Sequence, residues 1–104
     1  MRQQLELAKL TIPKGESASE EVKLHQDTVV ITIYSPPVLS GKVTVQLSAD
    51  DKTYLTYMHK GVPVSLEANR ATDIPVPACK SFRVAAVGPE LAERVFTVLE
   101  LEEL

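Results

Sequence analysis

From Lys42 to Tyr57 the chain reads KVTVQLSADDKTYLTY, with apolar Val43, Val45 and Leu47 alternating with polar Thr44, Gln46 and Ser48. A period of two sends one set of side chains into a core and the other into water, so this is a half-buried strand. Asp50-Asp51 supplies turn chemistry, and the run that follows is rich in β-branched and aromatic residues. The segment 42–58 therefore predicts a hairpin, closed by Lys60-Gly61. Other parts of the chain repeat the pattern.

Leu5 and Leu7, then Leu10 and Ile12, predict a first strand whose alternation slips near Ala8-Lys9, as a β-bulge would make it do. Good helix formers at residues 2 to 10 leave a helix as the competing reading; the strand is preferred because Thr11-Ile12-Pro13 continues it without a cap. Pro13-Lys14-Gly15 is a turn. Val22 and Leu24 against Glu21, Lys23 and His25 predict a short half-exposed strand. TVVITIY, Thr28 to Tyr34, is nearly all β-branched and apolar, which predicts a central strand buried on both sides. Ser35-Pro36-Pro37 ends it, because proline cannot donate to a ladder.

Val62, Val64 and Leu66 form a short apolar segment broken by Pro63. Asp73 to Val76 is an expected edge strand between Pro75 and Pro77. Lys80 to Val87 sets Phe82, Val84 and Ala86 against Ser81, Arg83 and Ala85. Gly88-Pro89 turns the chain, and Glu90 to Glu93 is expected to make one helical turn. In the last strand, Arg94 to Leu101, Phe96, Val98 and Glu100 share one face; Val95, Thr97, Leu99 and Leu101 share the other. Seven or eight short strands between Pro, Gly and Asp turns predict an all-β chain, a single antiparallel β-sandwich of jelly-roll or discoidin-like kind. The whole of 1–104 is one domain, with 1–12 and 100–104 as candidate extended arms.

Composition narrows the function classes. With 104 residues, 44 % hydrophobic and 24 % charged, the chain suits a globular domain, and its few aromatics (two Phe, three Tyr, no Trp) leave the core to aliphatic side chains. A net charge of −3 gives no basic footprint for nucleic acid or anionic lipid. No apolar run reaches the ~20 residues of a membrane span, and MRQQLELAKL lacks a secretory apolar centre. One cysteine, Cys79, fits a reducing cytoplasm, and it is expected as a buried structural thiol.

The residues announce no catalytic chemistry. His25, His59 and Cys79 lie far apart in sequence and outside ligand spacing, so no metal or cofactor is expected, and both histidines are expected at exposed strand ends. Asp50 and Asp51 lack the alternation of a Ca²⁺ loop and read as a turn. Tyr54 and Tyr57 have opposite parity; the one facing outward, with Lys52 and His59 nearby, is either a binding anchor or half of a cross-strand pair. The Pro36-Pro37-Val38-Leu39 loop presents apolar groups that either contact another subunit or cap the sandwich.

The order of these pieces resembles a loose family of small β-sandwich structural proteins of tailed bacteriophages. The likeness rests on Ser48-Ala49-Asp50 with Thr53-Tyr54, on Phe82-Arg83-Val84, and on Arg94-Val95-Phe96-Thr97, and spans roughly residues 11–101. It implies a non-enzymatic virion component, a capsid accessory or decoration protein or a head-tail, tail or fibre part. Such a protein would be made in the bacterial cytoplasm and carried in the particle, touching shell or tail proteins and copies of itself as a dimer or trimer. The interface candidates are Leu5, Leu7, Pro36, Pro37, Val38, Leu39, Tyr57, Val62 and Leu101, with sheet edges open to strand addition. The alternative is a carbohydrate-binding module contacting host-surface glycan. Discoidin-like and carbohydrate-binding sandwiches share the hairpin, but Asp51 stands here where they have glycine, and Tyr54 where they often place Trp.

Overall fold

The computed structural model describes residues 2–24, 28–75 and 78–103; the expectations for His25, the Gln26-Asp27 turn, Val76, Pro77 and Leu104 fall outside them. Ten strands occur among the described residues: β1 Arg2–Ile12, β2 Thr28–Tyr34, β3 Val43–Ser48, β4 Leu55–Thr56, β5 Met58–His59, β6 Val62–Pro63, β7 Ser65–Leu66, β8 Ala71–Pro75, β9 Ser81–Ala86 and β10 Arg94–Glu103. All the pairings between them are antiparallel. One sheet has the order β1-β10-β2-β8, with β8 at an edge as Pro75 and Pro77 predicted. In the other, β3 lies between β9 and the line formed by β4 and β7. Residues 18–22 run outside β9 through bridges Ala18↔Ala85 and Val22↔Phe82. This is the single antiparallel sandwich that the alternation predicted.

The core is where the inner faces meet. Leu10, Ile12, Ile31, Ile33, Ile74, Phe96 and Val98 from the first sheet pack on Val43, Val45, Leu66, Phe82 and Val84 from the second, all essentially without solvent contact. Aliphatic side chains dominate because the sequence holds so few aromatics, and the two phenylalanines are its largest members. Glu100 shares the face of Phe96 and Val98 and is 1 % exposed; Thr28 Oγ1 donates to its Oε2 at 2.6 Å.

The first strand is a strand and not a helix, and its register slips between Glu6 and Ala8, leaving Leu7 as the extra residue. The predicted irregularity near Ala8-Lys9 is therefore real and lies one position earlier. Residues 2–12, one of the two candidate arms, pair with β10 from Arg2↔Glu103 to Ile12↔Arg94.

Four expectations are corrected. β2 is central but buried on one face only: Ile31 and Ile33 point into the core, while Thr32 is partly exposed and Tyr34 exposed on the outer surface. A β-branched run signals a strand without saying how many of its faces are covered. Residues 90–93 make no helical turn; Glu90 is held instead by bonds to loops distant in sequence. Cys79 is half-buried rather than interior, and burial still pushes its thiol above the ordinary range.

The fourth correction concerns the hairpin. β3 does fold onto β4 through the Asp50-Asp51 turn, but only Gln46↔Thr56 and Leu47↔Leu55 pair before the chain leaves the sheet. It returns as β7, opposite Val43 and Thr44. Between these halves, Tyr57 N–H donates to Val45 O at 2.8 Å, Val45 N–H to Val64 O at 3.2 Å and Val64 N–H to Tyr57 O at 2.9 Å. The strand opposite β3 is thus interrupted, and β5 and β6 form a small hairpin inserted at the break. Lys60 (φ 52°) and Gly61 (φ 78°) are its tip, closing this hairpin and not the larger one. Two consecutive positive φ values define a type I′ turn, whose twist matches the flanking strands.

A Cβ on Gly61 would meet no atom within 4 Å, so substitution there isolates the backbone term. Gly61→Ala should lower stability by about 1 kcal/mol, and Lys60→Asn should raise it by about 0.5 kcal/mol, because asparagine tolerates the left-handed region better than lysine. Urea unfolding of the two variants beside the parent protein checks both signs.

Candidate interaction surfaces

Alternating strand directions bring four connections between the sheets, 13–17, 35–42, 67–70 and 87–93, to one end of the sandwich. Glu90, 2 % exposed, ties three of them together. Its N–H donates to Glu16 O, and its carbonyl accepts from Gly15 N–H, both at 2.9 Å. Its Oε1 accepts from Ser40 N–H at 3.0 Å and from Arg94 Nε at 2.8 Å. Arg94 Nη2 and Leu91 N–H donate to Ser40 Oγ at 3.0 and 3.1 Å. The fourth loop is joined by Ser35 N–H to Arg70 O and Asn69 N–H to Pro36 O, at 2.9 and 2.8 Å. Burial alone would raise the Glu90 carboxyl; the Ser40 amide and Arg94 guanidinium outweigh it and hold the group below the ordinary range.

Apolar side chains stand exposed around this clasp. Val38, Val87 and Leu91 project from the loops it fixes, the last two 79 % and 77 % exposed. Of the proline loop, Pro37 and Val38 face solvent, Pro36 is half-buried, and Leu39 packs against the core. Leu39 thus caps the sandwich end, while Pro37 and Val38 stay open to solvent.

A second apolar region lies on the side of the interrupted strand, where Leu55, Met58 and Val62 are exposed. Tyr57 is half-buried against the core and, with His59, Val64, Asp73, Ile74 and Pro75, lines a shallow groove of about 240 Å³ beside β8. Leu5, Leu7 and Leu101 lie elsewhere, on the β1–β10 pair. Leu7, the bulged residue, packs on the core; Leu101 faces outward beside Gln4 and Val30. The nine candidates thus fall into three separate regions and do not converge.

The opposite end of the second sheet is polar. Asp50 Oδ1 accepts from Lys52 N–H at 2.9 Å, Thr53 N–H at 2.8 Å and Ser48 Oγ at 3.0 Å. The Thr53 amide foremost, then Lys52 and Ser48, hold this carboxyl below its ordinary range. Asp51, at φ 63°, accepts from Ser81 Oγ at 2.7 Å, which lowers its pKa most, and lies 3.7 Å from Lys23 Nζ. The aspartate pair builds the turn, as read from the sequence. Tyr54 OH lies 2.9 Å from Ser81 Oγ and 3.3 Å from Glu21 Oε2. Arg83, which donates to Gln46 Oε1 at 2.8 Å, covers the Tyr54 ring at 4.2 Å from its centre. Among the described residues, no three of His, Cys, Asp or Glu gather at metal-ligand distance, and His59 is exposed.

Sequence reading missed Glu90, Ser40 and Arg94, and with them the exposure of Val87 and Leu91. The one local signal was Glu90 four residues before Arg94, just after a Gly-Pro turn.

The fold and surfaces define a small antiparallel β-sandwich. No family model and no curated protein matches the chain. Among solved structures, the SPBc2 prophage-derived protein YomS is similar in fold, with a TM-score of 0.63 over 98 % of this chain and 94 % of that one, at 9 % sequence identity.

Glu90→Ala should cost about 3 kcal/mol, as removing one partner of a buried ion pair does. Glu90→Gln, which keeps an acceptor for Ser40, should cost less. Because the folded-state pKa is depressed, this carboxylate contributes stability in full above the ordinary glutamate value of about 4.5 and loses it as pH falls through the lower folded value. Denaturation midpoints measured from pH 7 downward should therefore show the gap between the parent protein and Glu90→Gln narrowing in acid.

Proposed function

We propose that this protein is a non-enzymatic structural component of a tailed-bacteriophage particle, a capsid accessory or a head-tail or tail part, acting through contacts between proteins. The carrying observation is the exposed apolar rim at the clasped end. Val38, Val87 and Leu91 are displayed on loops that Glu90 and Arg94 hold rigid, so a partner can bury them without first ordering the backbone. The long edge strand β1 and the short edge strand β8 add surfaces of the kind that sheet proteins either cover or use. The polar side chains at the other end are engaged with one another in a turn and a tyrosine–arginine stack. A prophage-derived neighbour sharing nearly the whole fold supports the phage context, as do the hairpin and the late Phe-Arg and Arg-x-Phe-Thr strands.

The test is to purify particles from the host that carries the gene by density gradient and quantify the protein in them by mass spectrometry. The expected result is a fixed number of copies per particle. Val38→Asp/Leu91→Asp, two surface changes that leave the clasp intact, should reduce incorporation by roughly tenfold or more, as loss of apolar contacts at an interface centre does. Recovery of the protein only outside particles would overturn the proposal.

A further inference from the structure

The edge strand β1 holds a pattern that the fold itself does not use. Among the described residues, β1 pairs with β10 on one side and with nothing on the other. Opposed residues in an antiparallel ladder share a face. The register Leu10↔Phe96, Ala8↔Val98 and Leu5↔Glu100 therefore puts Leu5, Ala8 and Leu10 on the core side. Gln4↔Leu101, Glu6↔Leu99, Lys9↔Thr97 and Thr11↔Val95 put Gln4, Glu6, Lys9 and Thr11 on the outer side. The bulge at Leu7 is what lets Glu6 and Lys9, an odd number of positions apart, share a face; within one chain Glu6 Oε1 and Lys9 Nζ lie 4.0 Å apart.

We infer that two copies of this chain pair through β1, antiparallel about a two-fold axis at Ala8. A second copy is the natural occupant because a two-fold edge contact is self-complementary and closed. Three registers near the bulge keep every opposed pair on a common face. One sets Glu6 against Glu6 of the second copy, another Lys9 against its Lys9, and both place like charges directly opposite. The third sets Glu6 against Lys9 at two symmetric sites, Gln4 against Thr11, and Leu5 against Leu10, with Ala8 meeting its own copy on the axis. Only this register is electrostatically complementary. It joins two sheets of order β1-β10-β2-β8 into one continuous sheet and shields the half-exposed Leu5. The inference deepens the reading of this protein as a contact protein and rests on it only for where the pair is used.

Sedimentation velocity on the full chain over a wide concentration range tests it. The expected mass is twice 11.4 kDa. Glu6→Lys and Lys9→Glu should each weaken the pair by about tenfold or more at low salt, and the double swap should restore it, because opposed charges then attract again. In a Cys79→Ser background, Gln4→Cys/Thr11→Cys should oxidise to a covalent dimer, as those positions are far apart along one strand and opposed only across the axis. A chain that is monomeric at every concentration overturns the inference. So does a dimer indifferent to both swaps, since that dimer is built elsewhere. Particle incorporation is read separately, so a monomer found in particles overturns the pairing alone, and a dimer absent from them overturns the virion role alone.

Discussion

A single buried carboxylate governs how the two layers of this sandwich are joined. Glu90 receives an arginine and a backbone amide on its side chain, while its own peptide groups bond to the loop after β1. Three connections from different parts of the chain converge on it. An ion this deeply enclosed is tolerated only because it is paired and hydrogen-bonded. What it gives in return is geometry: the sheets are tied at one end by directional bonds, and packing only has to fill the space between them. The apolar side chains on those loops stand out because the loops beneath them have no freedom to fold over and cover them.

The strands were legible because their signal is local. Period-two alternation in VTVQLS, in the Lys80–Val87 segment and in the last strand carried over to the observed faces, down to the inward turn of Glu100. The slip in the first strand showed as a break in parity. What was hidden depends on residues far apart in the chain. Ser40 and Glu90 are separated by 50 positions, and nothing near either one predicts the other. The one-sided burial of β2 was hidden for the same reason, since coverage belongs to the neighbouring layer and not to the strand. The interruption of the strand opposite β3 was illegible because Val62-Pro63-Val64 reads equally well as a weak strand.

Surface chemistry divides the molecule by its ends. At one, hydrogen bonds lie beneath and apolar groups lie on top; at the other, Asp50 is satisfied by Ser48 and the amides of its own turn, and Asp51, Tyr54, Ser81 and Arg83 engage one another. The first arrangement leaves apolar area for a partner to remove from water, which is a favourable step. The second leaves little, since breaking those bonds would have to be repaid in kind. Contact chemistry thus has a direction along the sandwich, with the long outer strand running between the two poles.

The broken strand has a consequence for engineering. Its halves are each anchored to β3 by their own ladder bonds, and three backbone bonds close the gap between Tyr57 and Val64. The six residues in between therefore hang from a sutured seam and contribute nothing to the layer's continuity. A peptide epitope or fluorophore tag spliced at Lys60-Gly61 would lengthen an appendage without displacing a single rung, making this tip the natural grafting point on the scaffold.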